Sequence, residues 1–113
     1  MARRARIVLW GVLISTLALR PIVARADASM QLARDRQCLA CHQVKAKRVG
    51  PAFAAVAQRY ADTPGAQNYL AGVIRQGSRA RWGAIPMPAQ QQVSPADAAV
   101  LAAWILSLVD DKL

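Results

Sequence analysis

Residues 38–42 read Cys-Leu-Ala-Cys-His, and these five positions hold both cysteines and the single histidine of the 113-residue chain. Two thiols spaced by two residues, with an imidazole directly after the second, form the attachment pattern for a c-type haem. Each thiol can add to a vinyl group, and the histidine is carried under the porphyrin to ligate iron. A chain stapled to a macrocycle through five consecutive residues must build its core around that group. The constraint therefore acts on the whole fold rather than on one loop.

Other uses of the same residues fit less well. A structural zinc site takes four Cys or His ligands, and the chain has only Cys38, Cys41 and His42, so a fourth ligand would have to be acidic or external. A thioredoxin-like thiol pair sits beside a strand-helix-strand pattern and does not need the histidine, and the alanine-rich flanks contain no convincing strand. A disulfide between such close neighbours would be strained.

Residues 1–26 have the pattern of a secretory signal peptide. Arg3, Arg4 and Arg6 form a basic start, Ile7 to Leu19 an apolar run, and Ala24-Arg25-Ala26 a small-residue cleavage site. The run falls short of the roughly 20 apolar residues that a membrane span needs, and Arg20 and Pro21 close it. Cleavage after Ala26 is expected, with export to the periplasm and no membrane span in the mature chain. Five basic residues (Arg3, Arg4, Arg6, Arg20, Arg25) leave with the leader, so the formal charge of +9 for the whole chain overstates the mature one. Residues 27–113 keep ten basic and six acidic side chains, a balance of +4. That balance and the lack of any nucleic-acid motif exclude nucleic acid as an expected partner.

The remaining 87 residues make one domain, near the size at which a protein-only core gives little stability. A covalent haem would make up the shortfall in buried apolar surface. The expected fold class is all-α, with about four helices wrapped around one haem. A first helix is expected over Ser29 to Ala40, capped by Asp27 or Ser29, and a second over Ala52 to Tyr60 after the Gly50-Pro51 turn. A third is expected to open with Thr63 as cap and Pro64 at the first position, to run to Gln76 and to stop at Gly77. Ser94-Pro95-Ala96-Asp97 starts the last, with Val100, Leu101, Trp104, Ile105 and Leu108 on its buried face. Between the last two helices, Gly83, Pro86 and Pro88 enforce an extended loop over residues 78–93.

With His42 as the one histidine, a second iron ligand within the chain points to methionine. Met1 leaves with the leader, and Met30 lies about two helical turns before Cys38, on the helix that has to hold the attachment site. Met87 remains, between Pro86 and Pro88. Pro86 fixes its own φ and Pro88 pushes Met87 out of helical geometry, so the bracket can present the thioether at one place. In the absence of a haem motif, Met87 would read as a gap-filling core residue.

Cys38 to His42, Val49-Gly50-Pro51-Ala52, Trp82-Gly83-Ala84-Ile85-Pro86-Met87-Pro88, Val93-Ser94 and Leu101-Ala102-Ala103-Trp104-Ile105-Leu106 follow one another in the order and spacing of a known family. In these residues the chain resembles the short monohaem bacterial class I cytochromes c, over essentially all of residues 27–113. The resemblance implies small periplasmic electron carriers with one haem and axial His and Met. It further implies that the Pro51 carbonyl accepts a hydrogen bond from His42 and that the Trp82 indole donates to a haem propionate. The chain departs from the family pattern at several positions. Gln37 stands where a glycine often precedes the first cysteine, and Ala33 where an aromatic often packs the first helix on the last. Val73 stands where an arginine or histidine can meet a propionate, leaving Arg75, Arg79 or Arg81 as substitutes. Gln90 replaces an asparagine that usually supports the methionine loop, and that loop is one residue longer before Val93.

The expected function is one-electron transfer, with the axial positions filled by His42 and Met87 and Cys38 and Cys41 holding the haem. The expected partners are redox proteins, acidic ones among them, docking at an exposed haem edge near Lys45, Lys47, Arg48, Arg79 and Arg81. A dedicated subunit of a periplasmic oxidoreductase complex would carry the same residues. A haem peroxidase or gas-binding protein is disfavoured by the lack of a second histidine or a distal acid-base pair near Met87.

Overall fold

The structure, a computed structural model, describes residues 21–113. The basic and apolar parts of the expected leader therefore lie outside the described residues. Among the described residues there are four helices, α1 (Pro21–Asp35), α2 (Phe53–Tyr60), α3 (Ala66–Gln76) and α4 (Pro95–Ser107), with short 3₁₀ turns at Cys38–Ala40 and Leu108–Asp110. Among the described residues the one β-type pairing is an isolated bridge between Ser78 and Met87. The expected all-α fold is the one observed.

Helix α4 is the centre of the packing, in contact with each of the other three. Its start is fixed locally. The Ser94 side chain accepts from the Asp97 N–H at 3.0 Å, and Pro95 takes the first position, where a missing N–H costs nothing. Asp97 also accepts from Nε and a terminal nitrogen of Arg36, at 3.3 and 3.0 Å, which ties the end of α1 to the start of α4. Its core face carries Ala98, Leu101, Ala102, Trp104 and Ile105. Leu101 is 1% exposed, and burying a leucine contributes about 2–3 kcal/mol. Val100, expected on this face, is instead exposed, because the stripe drifts toward Ala98 and Ala102. Ala33 of α1 is fully buried in the same core. A small side chain at this position lets α1 approach α4 closely where a ring would hold it off.

Two helix boundaries differ from expectation. Helix α1, described from Pro21, stops at Asp35, so Asp27 and Ser29 lie inside it and Cys38–Ala40 is a separate turn. The stop is made by Gln37, whose φ of 62° reverses the chain before the cysteines. Helix α3 opens at Ala66 rather than after Thr63. Pro64 and Gly65 form a tight turn instead, with the Ala66 N–H bonded to the Thr63 carbonyl and Gly65 at φ 72°. Gly77, at φ 78°, ends α3 as expected.

Candidate haem site

The attachment motif is a closed turn. Gln37 in the left-handed region feeds the 3₁₀ turn, and the Cys38 carbonyl accepts from both the Cys41 and His42 N–H groups, at 3.2 and 3.0 Å. This packs Cys38, Cys41 and His42 onto the wall of one cleft of about 310 Å³. Both cysteines are free thiols and half-buried, and burial pushes the Cys38 thiol above its ordinary range. A glycine would adopt the Gln37 conformation without strain, whereas glutamine there costs about 1 kcal/mol.

His42 is oriented from two sides. Its Nδ1 lies 2.8 Å from the Pro51 carbonyl oxygen. A carbonyl can only accept, so Nδ1 carries the proton and Nε2 is left with the lone pair that binds a metal. The ring also stacks on Phe53, with centroids 4.8 Å apart and planes 16° from parallel, and Phe53 meets Trp104 edge-on at 5.4 Å. Gly50 gives the imidazole its room. A Cβ at that position would stand 2.4 Å from the ring, so the glycine is required by close approach to His42. The sequence marks Gly50 only as a turn residue; its place under the histidine emerges from the fold.

The loop between α3 and α4 supplies other lining residues, namely Trp82, Ile85, Pro86, Met87 and Pro88. The Met87 backbone is pinned by a reciprocal pair of hydrogen bonds to Ser78, at 2.9 and 3.0 Å. Gly77 makes this possible, since a Cβ there would lie 2.5 Å from the Met87 carbonyl oxygen. Gln90 steadies the far side, its N–H bonded to the Ile74 carbonyl and its side chain donating to the Pro88 carbonyl at 3.1 Å. Tyr69 and Val73, on the apolar stripe of α3, line the cleft rather than the closed core. Tyr69 packs against Tyr60 with centroids 5.4 Å apart, and burial together with that neighbour raises the Tyr60 phenol. Of the three arginines considered as propionate partners, Arg81 lines the cleft. Arg75 is turned elsewhere, with its Nε donating to the Val93 carbonyl at 3.0 Å.

A largely apolar cleft that brings two thiols, one imidazole with a free Nε2 and one thioether to its wall matches the donor set of a covalently held iron porphyrin. Zinc does not gain from the geometry. Among the described residues no three His, Cys, Asp or Glu side chains converge as a metal site.

Residues 26–109 match the model of the family Cytochrome c. The chain belongs to that family. It is 51% identical over 87 residues to cytochrome c-552 of Nitrosomonas europaea, covering 77% of this chain and 84% of that protein. It is 52% identical over 81 residues to cytochrome c-552 of Hydrogenobacter thermophilus, covering 72% and 82%. The crystal structure of wild-type Nitrosomonas europaea cytochrome c552 superposes with a TM-score of 0.69 at 53% identity, over 70% of this chain and 98% of that one. This cytochrome accordingly carries one covalently attached haem c, and its function class is electron transfer.

Proposed function

We propose that this cytochrome is a periplasmic one-electron carrier in which Cys38 and Cys41 hold the haem by thioethers and His42 and Met87 are the axial ligands. One observation carries the reading. The Pro51 carbonyl commits Nδ1 of His42 as donor and leaves Nε2 for iron, in the same cleft that Met87 lines. Bound haem c supplies the ferrous/ferric couple, and thioether ligation favours the ferrous form. The protein holds its donors still: Phe53 and Pro51 fix the imidazole, and the Ser78 pair with the proline bracket fixes Met87. Filled axial positions leave no open site for substrate chemistry. Trp82, a cleft residue 36% exposed, is the donor to a haem propionate.

Export and processing after Ala26 complete the proposal. The family match begins at residue 26, and Ile22 and Val23 of α1 are 81% and 66% exposed, as apolar residues of a discarded segment can be. Among the described residues no helix is long and apolar enough to cross a membrane. Docking partners are redox proteins with acidic faces. Between Gln37 and Gln90 the chain carries Lys45, Lys47, Arg48, Arg59, Arg75, Arg79 and Arg81 against the single acid Asp62.

Replacing Met87 with alanine tests the ligation. The ferric parent should show a sulfur-to-iron charge-transfer absorption that M87A lacks, and the variant's reduction potential should fall. A variant that keeps the absorption would assign the ligand to Met30 or another group.

A further inference from the structure

We propose that Arg59 is a positioning residue that latches the methionine loop onto α2 and so sets how readily Met87 leaves the iron. The proposal rests on Met87 being the axial ligand. The reciprocal bonds between Ser78 and Met87 close the base of the loop. Between those residues, among the described residues, the only hydrogen bond that reaches the body of the protein runs from an Arg59 guanidinium nitrogen to the Arg81 carbonyl. The same guanidinium lies over the Trp82 ring, 4.5 Å from its centroid, and 5.7 Å from the centroid of Tyr60. A planar cation can stack on a ring with its face and donate in its plane at once, so one side chain fixes a backbone oxygen and the adjacent indole together.

The loop needs such a tie. Ala80 sits at φ 56°, a left-handed conformation that an alanine adopts only under constraint, and Gly83 at φ 115° adds a flexible joint. Ile85 at the far side is 66% exposed and gives the loop little packing. Arg59 thus joins the exposed end of α2 to the residue beside the proposed propionate donor, two turns of α2 away from the Phe53 that supports His42. Loss of this tie lets residues 79–86 open, and an open loop lets an external ligand replace Met87.

The test uses the haem-loaded protein and two variants, Arg59→Leu and Arg59→Lys. Two quantities are read: the rate at which imidazole displaces the native ligand from ferric iron, and hydrogen exchange of the Ser78 and Met87 amides, whose reciprocal bonds close the loop. Arg59→Leu should accelerate both about tenfold, the equivalent of about 1.4 kcal/mol of lost restraint. Arg59→Lys, which keeps the cation but not the planar fork, should fall between Leu and the parent. Exchange in α4 should stay unchanged. Imidazole binding and loop exchange within twofold of the parent for Arg59→Leu would overturn the latch, and so would an acceleration spread equally over α4, which reports general destabilisation. A parent without the sulfur-to-iron absorption would instead remove the ligation reading, while the exchange data would still decide whether Arg59 holds the loop.

Discussion

Alanine at Gly50 puts a methyl group where the structure has no space for one. The added carbon would stand 2.4 Å from Cε1, 2.8 Å from Nδ1 and 2.9 Å from Nε2 of His42, whereas ordinary contact begins at 3.4 Å. Either the imidazole or the backbone at residue 50 must therefore give way by about 1 Å. The imidazole is engaged by the Pro51 carbonyl at 2.8 Å and by the Phe53 ring at 4.8 Å, so its retreat disturbs the orientation that leaves Nε2 free. The Gly50 backbone is no looser, since its N–H bonds the Cys41 carbonyl at 2.7 Å. Overpacking of this kind costs about 1–3 kcal/mol, and loss of a neutral hydrogen bond about 1 kcal/mol more. Alanine's smaller freedom in the unfolded chain returns about 0.4–1 kcal/mol. The expected net loss is about 1–3 kcal/mol, measured by urea titration of the haem-loaded protein with helical circular dichroism as signal and an unchanged m value. Gly72→Ala is the control, because nothing lies within 4 Å of a Cβ there and its place inside α3 should make the change stabilising, by about 0.5–1 kcal/mol. If Gly50→Ala also proved neutral or stabilising, the glycine would be a turn residue only and the close approach to His42 would carry no weight.

Gly77→Ala should be the matching lesion on the methionine side. It forces a Cβ against the Met87 carbonyl at φ 78°, at a cost of about 2–4 kcal/mol, and should weaken the ferric charge-transfer absorption. Retention of both the parent midpoint and the absorption would show that the Ser78–Met87 pair is dispensable. Gln37→Gly should stabilise the protein by about 0.5–1 kcal/mol, since relief at φ 62° outweighs the freer unfolded chain; a lower midpoint in the same titration would mean that the glutamine side chain supplies a contact worth more than the strain. Replacing Lys45 and Lys47 together with glutamine should flatten the fall in electron-transfer rate with an acidic partner as salt rises, screening acting over about 10 Å at 0.1 M. Stopped-flow rates indifferent to salt and to both substitutions would point to an apolar contact through Val49, Ile85 and Pro88.

Local covalent facts decided a large share of this protein. The Cys38 to His42 run names the chemistry because thioether spacing and the adjacent imidazole are properties of five consecutive residues. The bracket around Met87 and the start of α4 at Ser94-Pro95 are equally local, since proline fixes its own φ and a serine cap bonds three residues ahead. What the tertiary structure decided are the approaches between distant segments. Helix propensity over Ser29 to Ala40 continues past the point where α1 stops, and only the need to turn the cysteines into the cleft explains the left-handed Gln37. Thr63-Pro64 carries a helix-start signal that loses to the turn closed by Gly65. Gly50 and Gly77 look like ordinary chain breaks in sequence, yet one makes room for His42 and the other for Met87, eight and ten residues away. Arg59 gives no signal at all along the chain. Its contacts with Trp82 and the Arg81 carbonyl bridge more than twenty residues of sequence, and periodicity cannot report a partner that only folding brings within reach.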